Sequence, residues 1–413
     1  MVLINDPDTS GSSAMGDVYA NRQHSLVQPL LTDFYQITMC YGYWLAGKHD
    51  ESAVFDLFFR ENPFHGEFTI FAGFEECLRF VENFRFNNSD IEFIREILSE
   101  DCDPDFLQYL THLDCSKLKI KAIPEGSVVF PRVPLITVDG PLAVCQLMES
   151  TFLNLVNFAS LVATNASRFR QAAGDKVQLL EFGLRRAQGP NGAISASRYC
   201  YIGGFDGTSN VLAGRLFGIP LRGTHAHSFI CSFASDDDLQ VRFLRSMDGS
   251  VEEDLYSLSK EKRHWMMEKA EWGVLESEVN DGELAAFVAY AIAFPTSSIF
   301  LIDTYDVLRS GVINFVAVTL ALFELGYRSV GCRIDSGDLA YLSKQVRSRL
   351  RMVAELEVTL HWIKFLKIVA SNDINEETII SLNQQSHEIN SFGIGTHLVT
   401  CQKQPALGCV YKV

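Results

Sequence analysis

The chain has 413 residues, of which 47% are hydrophobic and 21% charged, with a formal net charge of −16. That length exceeds one ordinary hydrophobic core and predicts two domains, and the composition is that of a globular protein. The acidity excludes a nucleic-acid backbone or an anionic membrane surface as a partner, because both need clustered Lys and Arg. Cations for an anionic substrate would have to be local to a pocket.

The first 25 residues, MVLINDPDTSGSSAMGDVYANRQHS, carry early acids and no apolar core. They read as a loose polar tail and not as a secretory signal. LLTDFYQITMCYGYWLAG reads as a helix, SAVFDLFFR and FTIFAGF as strands, and EECLRFVENF as a further helix. KLKIKAIPEGSVVFPRVPLITVDGPL mixes β-type residues with Pro and Gly, the pattern of a meander. An α+β domain over 26–165 follows. AVCQLMESTFLNLVNFASLVATNASRFRQAAG reads as a long helical run into a second domain, 166–400. LAAFVAYAIAFPTSSIFLID is the most membrane-like stretch, but Pro295 splits it, which predicts a buried helix followed by a buried strand. Ten cysteines with no CxxC pattern predict reduced, buried thiols and a cytoplasmic location.

The second domain has a rhythm. VQLLEFG is followed by a helix opening near Ser195. GIPLRGT, an acidic helical segment over 235–290, and the runs SSIFLID, SVGCRIDSG, FLKIVASND and HEINSFGIGT come next. Strand-like runs separated by helix-length stretches such as VINFVAVTLALFELG imply parallel strands, whose C-terminal ends share one rim. The fold expected is α/β: an irregular, incomplete α/β barrel of parallel strands with an N-terminal α+β domain. Asp303, Arg333, Asp335, Asn372 and Thr396 should then converge, although they span nearly a hundred positions.

Each motif at that rim has a chemical and an ordinary reading. The adjacent arginines of EFGLRRAQG suit an anion, or one pairs with Glu181 and the other faces solvent. GGFDGTSN has neither GxGxxG nor Walker spacing and by itself signifies turns or close packing as readily as a phosphate loop. His225 and His227 of GTHAHSF would share a face in extended backbone. A metal would need further ligands that the spacing does not supply; a nucleophile or general base, or a structural histidine, remains open. Acids in LIDTYD and RIDSGD suit Mg²⁺ or ribose hydroxyls, and FGIGTHL offers N–H and hydroxyl donors to an anion. SFASDDDLQ lacks the glycine of the type I phosphoribosyl loop.

Taken in order, LLTDFYQITM, EFGLRRAQGP, GGFDGTSNVLAG, GTHAHS, FLIDTYD, CRIDSGDL, IVASNDI and FGIGTHLVTC resemble the nicotinate phosphoribosyltransferase family from about Leu30 onwards. The resemblance implies a type II phosphoribosyltransferase. It would join nicotinate to 5-phosphoribosyl 1-pyrophosphate with Mg²⁺ or Mn²⁺, with ATP as co-substrate through a phosphohistidine, in a cytosolic homodimer with shared sites. It implies His227 as the phosphorylated histidine, with Asp303 and Asp335 as its catalytic companions and Asp303 as a magnesium contact. Tyr35 (from the partner subunit), Phe182, Thr224 and Arg333 would bind nicotinate. Arg185, Asn372, Gly393, Gly395 and Thr396 would bind phosphate. The related nicotinamide enzyme is the alternative, as is a truncated isoform acting by dimerisation. Family members continue past VYKV, so 401–413 is expected to be a strand leaving a truncated barrel, with loss of cover over SAVFDLFFR.

Overall fold

The computed structural model describes residues 26–98 and 102–413, so the expected polar tail lies outside the described residues. Contacts divide the chain into two compact units. The first joins the segment ending at Ser167 to 187–204 and 399–413; the second comprises Arg168–Arg186 and Phe205–Leu398.

In the first unit, Ser52–Phe59 alternates so that Phe55, Leu57 and Phe59 point inward, the two-residue period of a strand with one covered face. It pairs antiparallel with Ile136–Pro141, which in turn pairs with Lys119–Ala122, as the meander predicts. Phe74–Asn83 begins at Gly73, whose φ is +98°. A Cβ there would lie 2.5 Å from the Leu155 carbonyl oxygen, so only glycine fits. Glu125 accepts from the first free N–H groups of that helix, at Gly73 and Phe74. Eight of the ten cysteines are buried, all but Cys102 and Cys231, and none forms a disulfide among the described residues.

The chain end differs from expectation. Cys409–Lys412 does not leave Ser52–Phe59 bare; it pairs with it antiparallel as an added edge strand. The Tyr411 ring stacks on Phe55 at 4.8 Å, and its hydroxyl donates to the Cys145 carbonyl at 2.9 Å. Alternation in GCVYK reads as a strand in any case; which edge it joins depends on a partner some 350 positions away in sequence.

The second unit holds six parallel strands in the spatial order Ile299–Leu301, Gly331–Ile334, Lys367–Ser371, Ser391–Ile394, Gln178–Glu181 and Gly207–Thr208. Five are the runs read from sequence. The sixth is Gly207–Thr208, and GIPLRGT contributes only a bridge from Leu221 to Thr208. The helix expected near Ser195 is Gly189–Ile202, which starts earlier, with Pro190 in its first turn where the missing N–H costs nothing. The acidic segment resolves into a hairpin, Phe243–Arg245 with Glu252–Asp254, and the helices Leu255–Lys269 and Asp281–Ala293.

The strand ends become helices by a repeated device. Side chains of Asp306, Asp338 and Asn375 accept backbone N–H groups at the next helical turn, so each helix starts where a short polar residue can cap it. Val312–Glu324 is buried over eleven consecutive residues from Val312 to Leu322, which explains its uniform apolarity. The Val307–Glu324 stretch is long and apolar enough to cross a bilayer, but 78% of it is buried in the fold, as in a core helix.

The added edge strand yields a stability prediction. Tyr411→Ala should lower unfolding free energy by roughly 3–5 kcal/mol, as for other buried aromatics. Tyr411→Phe, which loses only the hydroxyl, should lose about 0.5–1.5 kcal/mol. Urea denaturation of both variants measures this; equal stability of Tyr411→Ala and the parent would show the strand contributes nothing.

Candidate active site

The rim formed by the parallel strand ends is a network of opposed charges. Asp303 follows Ile299–Leu301 with its side chain 1% exposed. Its Oδ2 accepts from the Asp335 backbone N–H at 2.9 Å and from the Ser336 hydroxyl at 2.5 Å. These bonds tie one strand-end loop to the next. Its Oδ1 is buried, has no hydrogen-bond partner among the described residues and lies 3.9 Å from His227 Nε2. Asp335 Oδ2 lies 3.7 Å from the same nitrogen. The other ring nitrogen, Nδ1, is 3.0 Å from the Thr304 hydroxyl. His227 is thus held between a hydroxyl and two carboxylates, with 41% of its side chain exposed.

Arg333, at the end of the adjacent strand, is 15% exposed. Its Nε donates to Ser371 Oγ at 3.0 Å, and its Nη1 donates to Thr224 Oγ1 at 2.8 Å and to the His225 carbonyl at 3.3 Å. Ser371 donates in turn to Asp335 Oδ1. Neither Thr304 nor Ser371 stood out in the sequence. Each is a lone hydroxyl beside more conspicuous neighbours, and its only signal was a position at or just beyond a strand end.

The two histidines of GTHAHSF do not share a face. His227 opens a short helix, His227–Cys231, after extended Ala226. The His225 ring instead packs against Tyr290 at 4.6 Å and Phe229 at 5.4 Å. Its Nε2 accepts from the Leu301 N–H at 3.4 Å, on the open side of an edge strand. Burial pushes its pKa down to about 4, with the nearby Arg333 and His227 acting in the same direction. His225 is therefore neutral near pH 7 and supports the strand and Arg333 while His227 faces the acids.

Phe182 follows Gln178–Glu181, and its N–H donates to the Ile394 carbonyl at 2.8 Å. Gly393 lies inside Ser391–Ile394; a Cβ there would come within 2.5 Å of the Phe182 ring, so its role visible in the fold is to give that ring room. Gly395 follows the strand and Thr396 opens the short helix Thr396–Val399. Asn372 and Asp373 have φ of +129° and +46°, a rare pair for residues other than glycine, and Asp373 pairs with His397 at 3.0 Å. Arg185 and Arg186 lie in an exposed single turn and form no ion pair among the described residues; the alternative pairing with Glu181 is not seen, because Glu181 accepts from the Gly183 N–H and the Thr208 hydroxyl. Tyr35 belongs to the first unit, on Phe34–Leu45, where it is 47% exposed.

Among the described residues no group of three or more His, Cys, Asp or Glu is placed to hold a metal ion. Mg²⁺ does not require one, since it commonly uses one or two carboxylates with substrate phosphates and water. The unpartnered Asp303 Oδ1 and the Asp335 carboxylate near it fit that donor set.

A parallel α/β fold that gathers carboxylates, an imidazole and a half-buried guanidinium on its C-terminal rim defines an enzyme acting on anionic substrates. The chain belongs to the nicotinate phosphoribosyltransferase family. Residues 30–157 match the nicotinate phosphoribosyltransferase N-terminal domain, and residues 177–413 match the nicotinate phosphoribosyltransferase family. It is 65% identical over 411 residues to nicotinate phosphoribosyltransferase of Caenorhabditis elegans, an alignment covering 100% of this chain and 73% of the relative. It is 49% identical to the Homo sapiens protein of that name, over 94% of this chain and 71% of the relative. The crystal structure of human nicotinic acid phosphoribosyltransferase superposes with a TM-score of 0.82 at 46% identity, covering 92% of this chain and 74% of that one. A nicotinate-nucleotide pyrophosphorylase from Pyrococcus furiosus shares the fold, with a TM-score of 0.58 at 19% identity over 93% of this chain and 74% of that one.

The His225 environment fixes a pH dependence. Its folded pKa of about 4 lies below the unfolded value, so between these values the unfolded chain binds the extra proton. Stability should therefore fall as pH drops through about 6.5 towards 4, by roughly 3 kcal/mol in all from this group. His225→Gln keeps an acceptor for Leu301 without titrating. Urea midpoints at pH 7 and 4.5 should converge more in that variant than in the parent; an unchanged pH slope would assign the dependence elsewhere.

Proposed function

We infer that the chain joins nicotinate to 5-phosphoribosyl 1-pyrophosphate, giving nicotinate mononucleotide and pyrophosphate, a step of NAD biosynthesis. The observation that carries the site assignment is the half-buried Arg333, held in place by Thr224, His225 and Ser371 beside the His227–Asp303–Asp335 cluster. A guanidinium suits the carboxylate of nicotinate, and Phe182, set against Gly393, offers a ring for the pyridine to stack on.

Displacement at the ribose anomeric carbon builds positive charge on the sugar. The pyridine nitrogen already carries the attacking electron pair, so the chain need not remove a proton from it. Its tasks are alignment of the ring and stabilisation of the departing pyrophosphate. Arg333 and Phe182 serve the first. Arg185, Asn372, Gly395 and Thr396 serve the second, with Gly393 setting the turn's approach. Asp303 and Asp335 would hold Mg²⁺ or Mn²⁺, which when bound neutralises charge on the pyrophosphate.

ATP is the co-substrate in this reading. An imidazole nitrogen of His227 takes the γ-phosphoryl group, an N–P bond replacing the P–O bond to departing ADP, and water later releases phosphate. The Asp303 and Asp335 carboxylates flank Nε2, and Thr304 steadies the ring at Nδ1. The enzyme works as a cytosolic homodimer in which Tyr35 completes the partner's base pocket. Exposure of Phe34 at 53%, Tyr35 at 47% and Met39 at 36% on one helix supports an interface there.

The direct test is turnover with nicotinate and with nicotinamide, each with and without ATP. Nicotinate should be preferred and ATP should stimulate; preference for nicotinamide would overturn the substrate assignment. With γ-labelled ATP, acid-labile label should appear in the parent and vanish in His227→Ala, whereas label retained in that variant would move the site to another residue.

Arg333→Ala should raise the nicotinate KM at least about tenfold, because a hydrogen bond to a charged group contributes roughly 1.5–3 kcal/mol. Unchanged nicotinate kinetics would remove Arg333 from the base site. Mixing Tyr35→Ala with His227→Ala protein should recover part of the activity through hybrid sites, and no recovery in proven heterodimers would place Tyr35 in its own subunit's site.

A further inference from the structure

Arg333 and Asp335 stand one residue apart at the same strand end, yet they do not close into a tight pair. Arginine–carboxylate pairs with nothing between them settle at about 2.8 Å, commonly through two parallel bonds. Here Arg333 Nη2 and Asp335 Oδ1 are 3.5 Å apart. The group that separates them is Ser371, at the end of the neighbouring strand and 6% exposed. Its hydroxyl donates its one proton to Asp335 Oδ1 and accepts from Arg333 Nε at 3.0 Å. A serine hydroxyl has one donor and two lone pairs, so both bonds form at once.

The consequence is a guanidinium with one edge unspent. Nε is committed to Ser371, and Nη1 to Thr224 and the His225 carbonyl. Among the described residues, Nη2 has only the long contact to Asp335. If Asp335 closed onto Arg333, it would take the remaining donors and bring a negative charge against any anionic ring substituent. A neutral carboxamide would lose far less, because only the anion depends on the net positive charge of the guanidinium.

We propose that Ser371 is a specificity-determining positioning residue: by occupying Asp335 it keeps the Nη2 edge of Arg333 open for the carboxylate of nicotinate, and so favours the acid over the amide. This rests on the reading of Arg333 as the partner of the nicotinate carboxylate. It also gives Asp335 a second constraint, since the same bond aims its other oxygen at His227.

The test compares the nicotinate KM with the inhibition constant of nicotinamide in the full chain. Ser371→Ala should raise the nicotinate KM about tenfold while changing nicotinamide inhibition less than about threefold. Ser371→Thr, which keeps the hydroxyl, should restore nicotinate KM to within about threefold of the parent. A merely structural role would weaken both ligands together, and that result, or no change in either, overturns the proposal. Arg333→Ala separates this from the underlying reading. If that variant leaves the nicotinate KM unchanged, the base-site assignment fails and the proposal falls with it. If it raises the KM while Ser371→Ala does not, only the Ser371 proposal fails. Should Ser371→Ala melt below assay temperature, Ser371→Cys keeps the volume with a much weaker hydrogen-bonding group, and the same ratio decides.

Discussion

The bond on which the site depends joins the buried Asp303 carboxylate to the backbone N–H of Asp335. It links the loops after two adjacent parallel strands, so the position of one acid fixes the backbone that carries the other. Parallel pairing alone brings strand ends to a common rim, but pairing stops at Leu301 and Arg333 and leaves the loops beyond it unspecified. The Asp303 side chain extends the order by one residue on each side. From that anchor Asp335 reaches His227 and Ser371, and Ser371 reaches Arg333. Four charged or titratable groups are thereby held at defined separations with few degrees of freedom.

Their charges are arranged to leave the site unsatisfied. A buried carboxylate oxygen with no partner is costly, and Asp303 Oδ1 has none among the described residues. Arg333 is short of a close anion on one edge. A protein folding only for stability would have closed both. Held open, a carboxylate oxygen suits a cation and a guanidinium edge suits an anion, which is the complementarity that the proposed function uses. Glu283 also keeps one buried oxygen, Oε1, without a hydrogen-bond partner among the described residues. It is fully buried beneath the same loop, and desolvation raises its pKa to about 7 although Ser310 and Asn314 bond to it. That network fixes the turn Val307–Gly311, which follows the Asp303–Thr304 segment.

The sequence by itself determined the parallel βα order, the rim and most of its chemistry. Periodicity set the strands because a buried parallel strand must be apolar throughout, and a polar residue marks where each run leaves the sheet. That is why Asp303, Arg333, Asp335 and Asn372 could be named from spacing alone. The family was also legible, because its motifs are those same strand ends in order.

Only the tertiary structure decided what each group touches. His225 and His227 are chemically identical and two positions apart; the fold sends one into an aromatic slot, where desolvation keeps it neutral, and the other towards two carboxylates. Thr304 and Ser371 were invisible, because a hydroxyl gains meaning only from the atoms within hydrogen-bond reach. The same holds for Cys409–Lys412, whose alternation declares a strand but not a partner. Its pairing with Ser52–Phe59 is a contact between distant parts of the chain, set by which open sheet edge lies within reach and not by any local propensity.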